Sequence, residues 1–200
     1  MPYFVGRVAQ LAVLDALVER SVRPGGTVVI SAIGGTAGIG KTTLAVHWAH
    51  RVADRFGDGQ LYVNMRGFDS TDSPMTAAEA VRAFLDALGV PAERIPAALD
   101  AQVGLYRSLM ADRRVLVLLD NAREGDQVRP LLPGSAGCLV LVTSRNRLGS
   151  LVAVEGAEPL TLDLLSTAEA RQLLARRLGD GRLATDPPAV SEIIAGCARL

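Results

Sequence analysis

Residues 27–56 read as three local structures in immediate succession: a β-branched run, a glycine-rich loop and an amphipathic helix. The loop is Gly35-Thr36-Ala37-Gly38-Ile39-Gly40-Lys41-Thr42, which satisfies G-x-x-x-x-G-K-[ST]. This order leaves few folds open. A buried strand that ends in a glycine turn and feeds a helix is the opening unit of a parallel sheet with crossover helices. The glycines allow successive backbone N–H groups to point inward as an anion nest. The helix that begins near Lys41 adds its positive dipole end to the same spot. Lys41 is the single lysine among 21 Lys and Arg residues. A guanidinium is a wide planar fork, whereas an ammonium is a compact charge on a flexible stem. These residues therefore point to a nucleotide polyphosphate, with Lys41 neutralising charge at the β- and γ-oxygens and the Thr42 hydroxyl placed to ligate Mg²⁺.

The rest of the chain repeats the strand-then-helix rhythm. Further strands are expected near 60–64, 115–119, 138–143 and 159–162, and helices near 7–20, 41–56, 76–89, 99–110 and 124–132. The first helix carries Val8, Leu11, Leu14, Leu17 and Val18 at helical spacing, and Pro24-Gly25-Gly26 stops it. The second presents Leu44, Trp48, Val52 and Phe56. Thr76 with Glu79, and Ser166 with Glu169, form capping boxes. Alternation implies a five-stranded parallel sheet covered by helices on both faces. After residue 165 two helices come in succession, the second from about 187 to the end. The expected division is an α/β domain over 1–165 and the incomplete beginning of a helical subdomain over 166–200.

Composition removes several alternatives. Acids and bases balance at 21 each and aromatic content is 4%. A surface that binds nucleic acid through a basic stripe or stacked bases is disfavoured. Cys138 and Cys197 have no metal-ligand spacing and fit a reducing cytosol. No apolar run approaches the roughly 18 residues of a membrane span, and the N-terminus lacks signal-peptide character. The expectation is a cytoplasmic protein without a membrane partner. His47 and His50 are three apart but lack a third ligand, so they read as packing or solvent-facing residues.

Two strand ends add chemistry. Val115-Leu116-Val117-Leu118-Leu119 closes on Asp120, at the carboxyl edge where α/β sheets bind ligands. Asp120 there can hold the Mg²⁺ shell. Its neighbour is Asn121, an amide that can orient water but cannot accept its proton, which predicts slow hydrolysis. The strand that closes on Thr143-Ser144 is followed by Arg145, placed to contact a γ-phosphate and report its presence.

Together, Phe4-Val5-Gly6-Arg7, Gly38-Ile39-Gly40-Lys41-Thr42-Thr43-Leu44-Ala45, Leu118-Leu119-Asp120-Asn121-Ala122 and Thr143-Ser144-Arg145 resemble the ordered motifs of NB-ARC domains. These belong to the STAND class of P-loop ATPases. Leu61-Tyr62-Val63-Asn64-Met65-Arg66-Gly67-Phe68, Val128-Arg129-Pro130-Leu131-Leu132-Pro133-Gly134 and Leu139-Val140-Leu141-Val142-Thr143-Ser144-Arg145 are similar to the nucleotide-binding domain of AfsR/SARP-type bacterial transcriptional regulators. The resemblance implies that Val5 and Arg7 contact adenine and that Gly35 and the residues Gly38, Ile39, Gly40, Lys41, Thr42 and Thr43 wrap the phosphates. It implies that Asp120 is the Walker B acid and Arg145 the first sensor. Arg66 matches a family arginine whose role does not follow from the sequence. The resemblance further implies DNA contact through another domain of the full-length protein and ATP-dependent self-association. The family's G-L-P-L motif would follow directly after Gly196-Cys197-Ala198-Arg199-Leu200, so the expectation is an excised switch domain.

The leading expectation is an ATP- or ADP-binding switch of a signal-responsive regulator, with slow or negligible hydrolysis. The alternative is a small-molecule phosphotransferase on the same fold. That needs a second substrate pocket and a basic lid, whereas residues 69–74 are acidic and poor in Arg. A motor ATPase is a third reading, against which Asn121 speaks.

Overall fold

The computed structural model describes residues 4–21, 29–69 and 73–197. The expected stop at Pro24-Gly25-Gly26, residues 27–28 of the expected first strand, residues 70–72 of the polar loop and residues 198–200 lie outside these. In chain order the elements are α1 (Val8–Ser21), β1 (Val29–Gly34), α2 (Lys41–Arg51), β2 (Gln60–Asn64), α3 (Ala77–Ala87), α4 (Leu99–Met110), β3 (Leu116–Ala122), α5 (Gly125–Val128), β4 (Leu139–Ser144), α6 (Gly149–Glu155), β5 (Glu158–Thr161), α7 (Thr167–Leu178), α8 (Asp180–Thr185) and α9 (Pro187–Gly196). Short 3₁₀ turns follow α2 and α5, at Ala53–Arg55 and Arg129–Leu131.

The five strands form one parallel sheet in the order β2-β3-β4-β1-β5. Strand residues alternate between its two faces. Leu116, Leu118, Leu139 and Leu141 pack with Leu14, Leu17, Leu44 and Trp48 under α1 and α2. Val117, Leu119, Val140 and Val142 pack with Phe84, Tyr106, Val128 and Leu151 under α3, α4, α5 and α6. Burial on both faces explains why these strands read as continuous apolar runs, each buried side chain contributing about 1.5–3 kcal/mol. A third cluster, Leu165, Ala170, Leu183, Val190 and Ile194, lies among α7, α8 and α9. No helix among the described residues is long and apolar enough to cross a membrane.

Both expected capping boxes are formed, at Thr76–Glu79 and Ser166–Glu169. Several other expectations need correction. Val8 is 77% exposed and belongs to the solvent face of α1. The helix expected to run on to Phe56 is α-helical to Arg51, although Val52 and Phe56 are buried as their spacing implied. The helix expected over 124–132 is one short turn of α5 continued by a 3₁₀ turn at Pro130. Proline there has no N–H to continue the ladder. Helices α6 and α8 were not anticipated, because α6 opens on Gly149 and ends at Gly156 with no side-chain cap, and α8 contains Gly181. Three helices, rather than two, therefore follow β5.

β3 also runs past its expected end. Its pairing with β4 shifts between Leu119 and Ala122, around a left-handed Asn121 at φ 57°. The Asn121 N–H donates to Thr143 Oγ1 at 2.9 Å, and Ser144 Oγ donates to the Ala122 carbonyl at 2.6 Å. Hydroxyls from β4 thus replace the missing ladder bonds of the bulge. Asp120 lies just before this bulge rather than at the strand's last position.

Candidate nucleotide site

The carboxyl edge of the sheet gathers the residues singled out in the sequence. β1 ends in Gly34, and the loop that follows turns through Gly38 at φ 79° and Gly40 at φ 93° before α2 begins at Lys41. Only glycine adopts this left-handed geometry at little cost. The Lys41 ammonium donates to the carbonyls of Gly35 and Thr36, both at 2.8 Å. It arches back over its own loop. Burial lowers the Lys41 pKa, the nearby Arg145 cation lowers it further, and Asp120 opposes both.

Asp120 is 5% exposed and collects hydroxyl donors. Thr42 Oγ1 donates to Oδ1 at 2.7 Å and Thr143 Oγ1 donates to the same oxygen at 2.6 Å. The Tyr62 hydroxyl lies 3.4 Å from Oδ2. Burial and the Asp120 charge raise the Tyr62 pKa. A Thr hydroxyl and an Asp carboxylate in contact are oxygen ligands of the kind Mg²⁺ prefers, with phosphate oxygens and water to complete an octahedron. The donor set fits that ion.

Lys41, Thr42, Thr43, Asn64, Asp120, Asn121, Thr143 and Arg145 line one polar cavity of about 310 Å³, together with Ala37, Gly38 and Gly40. Arg145 follows β4 directly, and its guanidinium carbon is 5.1 Å from the Phe68 ring centre. The Asn121 amide donates to Asp69 Oδ1 at 3.2 Å.

A second cavity of about 230 Å³ lies on the other side of the loop, against Phe4, Val5, Arg7, Ile39, Leu165, Leu173 and Arg177. It shares Gly38, Gly40 and Thr43 with the first. The loop is therefore a common wall between a polar chamber and a more apolar one, the division that a nucleotide's phosphates and base require.

Two anticipated residues also bond within the protein, and Arg7 does so while lining the second cavity. Gly35 lines neither cavity and acts through its carbonyl, on which Lys41 rests. Arg7 is 8% exposed, and its guanidinium is used within the protein. It donates to the Asp163 carbonyl at 2.6 Å and the Ile39 carbonyl at 3.0 Å, while the Arg7 N–H donates to Glu169 Oε1 at 3.3 Å. It ties the N-terminal segment to the phosphate loop and to the start of α7. Tyr62, Asn64 and Phe68 stand in the quoted motifs without a role, Leu165 and Leu173 carry no signal in the sequence, and Arg177 reads there only as half of the Arg176-Arg177 pair on a solvated helix face. Asn64 stands opposite Asp120 in the β2–β3 register. That pairing is the signal which would have found it. His47 stacks on Phe4, ring centres 3.9 Å apart and nearly coplanar at 6°.

Comparison with known proteins agrees with this geometry. The profile of the NB-ARC domain family matches residues 10–183. Regulatory protein AfsR of Streptomyces griseus is 42% identical over 201 residues, covering 100% of this chain and 20% of the relative. The chain thus spans about a fifth of that protein's length. Among solved structures, the Aeropyrum pernix Orc1 protein in complex with DNA superposes with a TM-score of 0.60 at 20% identity, over 87% of this chain and 49% of that one. A STAND protein with a tetratricopeptide repeat sensor from Pyrococcus horikoshii gives 0.56 at 20% identity, over 96% of this chain and 28% of that one. At such identities these two structures speak for the P-loop fold alone.

Proposed function

The chain belongs to the NB-ARC family, and from that membership we infer that it is an ATP- or ADP-binding switch domain of a signal-responsive transcriptional regulator, with slow or negligible hydrolysis. One observation carries the reading. The Thr42 hydroxyl meets the Asp120 carboxylate at 2.7 Å in a polar cavity whose loop wall, Gly38, Gly40 and Thr43, is also the wall of a more apolar cavity. Lys41 and the loop N–H groups bind the phosphates, and Thr42 with Asp120 holds Mg²⁺, which would supply charge neutralisation there. The base lies against Val5, Phe4, Leu165 and Leu173. Arg145 distinguishes ATP from ADP at the γ-phosphate end. The residue after Asp120 is Asn121, which cannot take a proton from an attacking water.

Residues 166–200 are the beginning of a helical subdomain, a reading supported by their separate apolar cluster. Leu173 and Arg177 of α7 line the base cavity, so the bound nucleotide touches both parts. The switch then follows from differential affinity for two arrangements of those parts. With 21 acids balancing 21 bases here, DNA contact is assigned to another domain of the full-length protein. ATP-dependent self-association is its output.

The test is to denature the purified protein, identify any released nucleotide and follow ATP turnover. Tightly held ADP with turnover far below the roughly 10 s⁻¹ enzyme median is the expected result. A nucleotide-free protein that phosphorylates a small molecule would overturn the reading, as would turnover of many per second.

A further inference from the structure

The run from Leu61 to Phe68 gives the phosphate cavity one lining residue, Asn64, and ends in a turn that the roles above leave unused. It leaves β2 at Asn64, whose side chain lines the cavity, and then turns. The turn is held from several sides. The Met65 N–H donates to the Asp120 carbonyl at 2.8 Å, and the Gly67 N–H donates to the Asn121 carbonyl at 2.8 Å. A Cβ on Gly67 would stand 2.6 Å from both the Asn121 carbonyl oxygen and the Arg123 nitrogen. The turn is therefore pressed onto the β3 bulge with no room for a side chain. Gln127 Nε2 donates to the carbonyls of Met65 at 3.2 Å and Met75 at 2.7 Å. Asn121 adds its amide bond to Asp69.

So anchored, the turn presents Phe68 in a set position, half-buried, with the Arg145 guanidinium carbon 5.1 Å from its ring centre. That separation lies within the range of cation–π attraction. Arg145 lines the phosphate cavity in this pose. The guanidinium carbon stands over the ring face, and a guanidinium carries its N–H donors in its own plane. Lys41 lines the same cavity, so two like charges face one chamber and repel until a phosphate lies between them. An exposed arginine would otherwise swing to solvent.

We propose that Phe68 is a positioning residue for Arg145: its ring holds the guanidinium at the γ-phosphate end of the cavity and so sets the discrimination between ATP and ADP. The proposal rests on the sensor role assigned to Arg145 above. The test measures Mg²⁺-ATP and Mg²⁺-ADP affinities by calorimetry on the full-length protein, using a non-hydrolysable ATP analogue as the triphosphate. Phe68→Leu should lower the triphosphate-to-diphosphate affinity ratio about two- to fivefold, with ADP affinity near wild type. Phe68→Trp should hold or raise the ratio, which keeps the proposal testable if the Leu variant does not fold. In an Arg145→Ala background, Phe68→Leu should change the ratio no further. An unchanged ratio in Phe68→Leu, an equal loss for both nucleotides, a fall in Phe68→Trp, or the same fall in the Arg145→Ala background overturns the proposal. If Arg145→Ala alone leaves the ratio unchanged, the sensor reading itself fails and this inference falls with it.

Discussion

Replacing Arg7 with alanine separates two views of the N-terminal segment. As an adenine contact, Arg7 would govern base selectivity. As a structural clamp, it governs stability and the shape of the phosphate loop. Its guanidinium donates to the Asp163 and Ile39 carbonyls at 2.6 and 3.0 Å, the latter within the loop. A hydrogen bond with one charged partner contributes about 1.5–3 kcal/mol net, so two sum to about 3–6 kcal/mol. Part of that is offset, because burying the cation costs desolvation in the folded state and water can reach the partly buried Asp163 bond. The net expectation is a loss of about 2–4 kcal/mol. At about 2–4 °C per kcal/mol for a chain of this size, Tm should fall by roughly 4–16 °C. Urea unfolding gives the free energy directly, and calorimetry on the folded variant gives affinities. ATP, ADP and GDP should weaken together, since the loop they share has lost its tie. A variant less than about 1 kcal/mol destabilised that loses only its preference for adenine over guanine would refute the clamp reasoning.

Three further outcomes follow from the same geometry. Lys41→Ala should abolish nucleotide binding by calorimetry, because the variant removes the one ammonium in the polar cavity; retained micromolar affinity would argue that the loop N–H groups suffice. Thr143→Val deletes a hydroxyl that donates to Asp120 and accepts from the Asn121 N–H, and should cost about 1–3 kcal/mol while raising the Mg²⁺ concentration needed for half-maximal nucleotide binding; unchanged values in both assays would contradict it. Burial, with neighbouring positive charges, holds the His47 pKa below its ordinary value. The unfolded chain therefore takes up this proton first as pH falls. The stability contribution is present above the ordinary pKa of about 6.5 and is lost as pH drops through the lowered one. His47→Phe, which keeps a ring to stack on Phe4, should flatten the dependence of urea midpoint on pH below 6.5, and an unchanged slope would clear His47 of this role.

Much of the molecule was legible in the chain because it is written locally. Both capping boxes lie within four residues. The glycine loop needs only its own left-handed positions and the helix that follows. Apolar runs marked the central strands β3 and β4 because both faces of the sheet are covered there, whereas the edge strands β2 and β5 are buried only in part. Helices α6 and α8 were missed for the converse reason: they are short and uncapped or glycine-bearing, and α6 depends on packing of Leu151 rather than on propensity.

By itself, then, the sequence determined the order of the strands and of the helices other than α6 and α8, the phosphate loop, and which residue types stand at strand ends. These depend on neighbours a few residues apart, where propensity and spacing act. Tertiary structure decided what those residues do to one another. The order β2-β3-β4-β1-β5 brings Thr42 and Asp120, 78 residues apart, to 2.7 Å. The β2–β3 register sets Asn64 beside Asp120, and the bulge at Asn121 gives the turn before Phe68 its anchor. Arg7 became a clamp because folding placed two carbonyls around its guanidinium. Such contacts arise from pairing between strands distant along the chain, and a register is a property of two segments that neither carries alone.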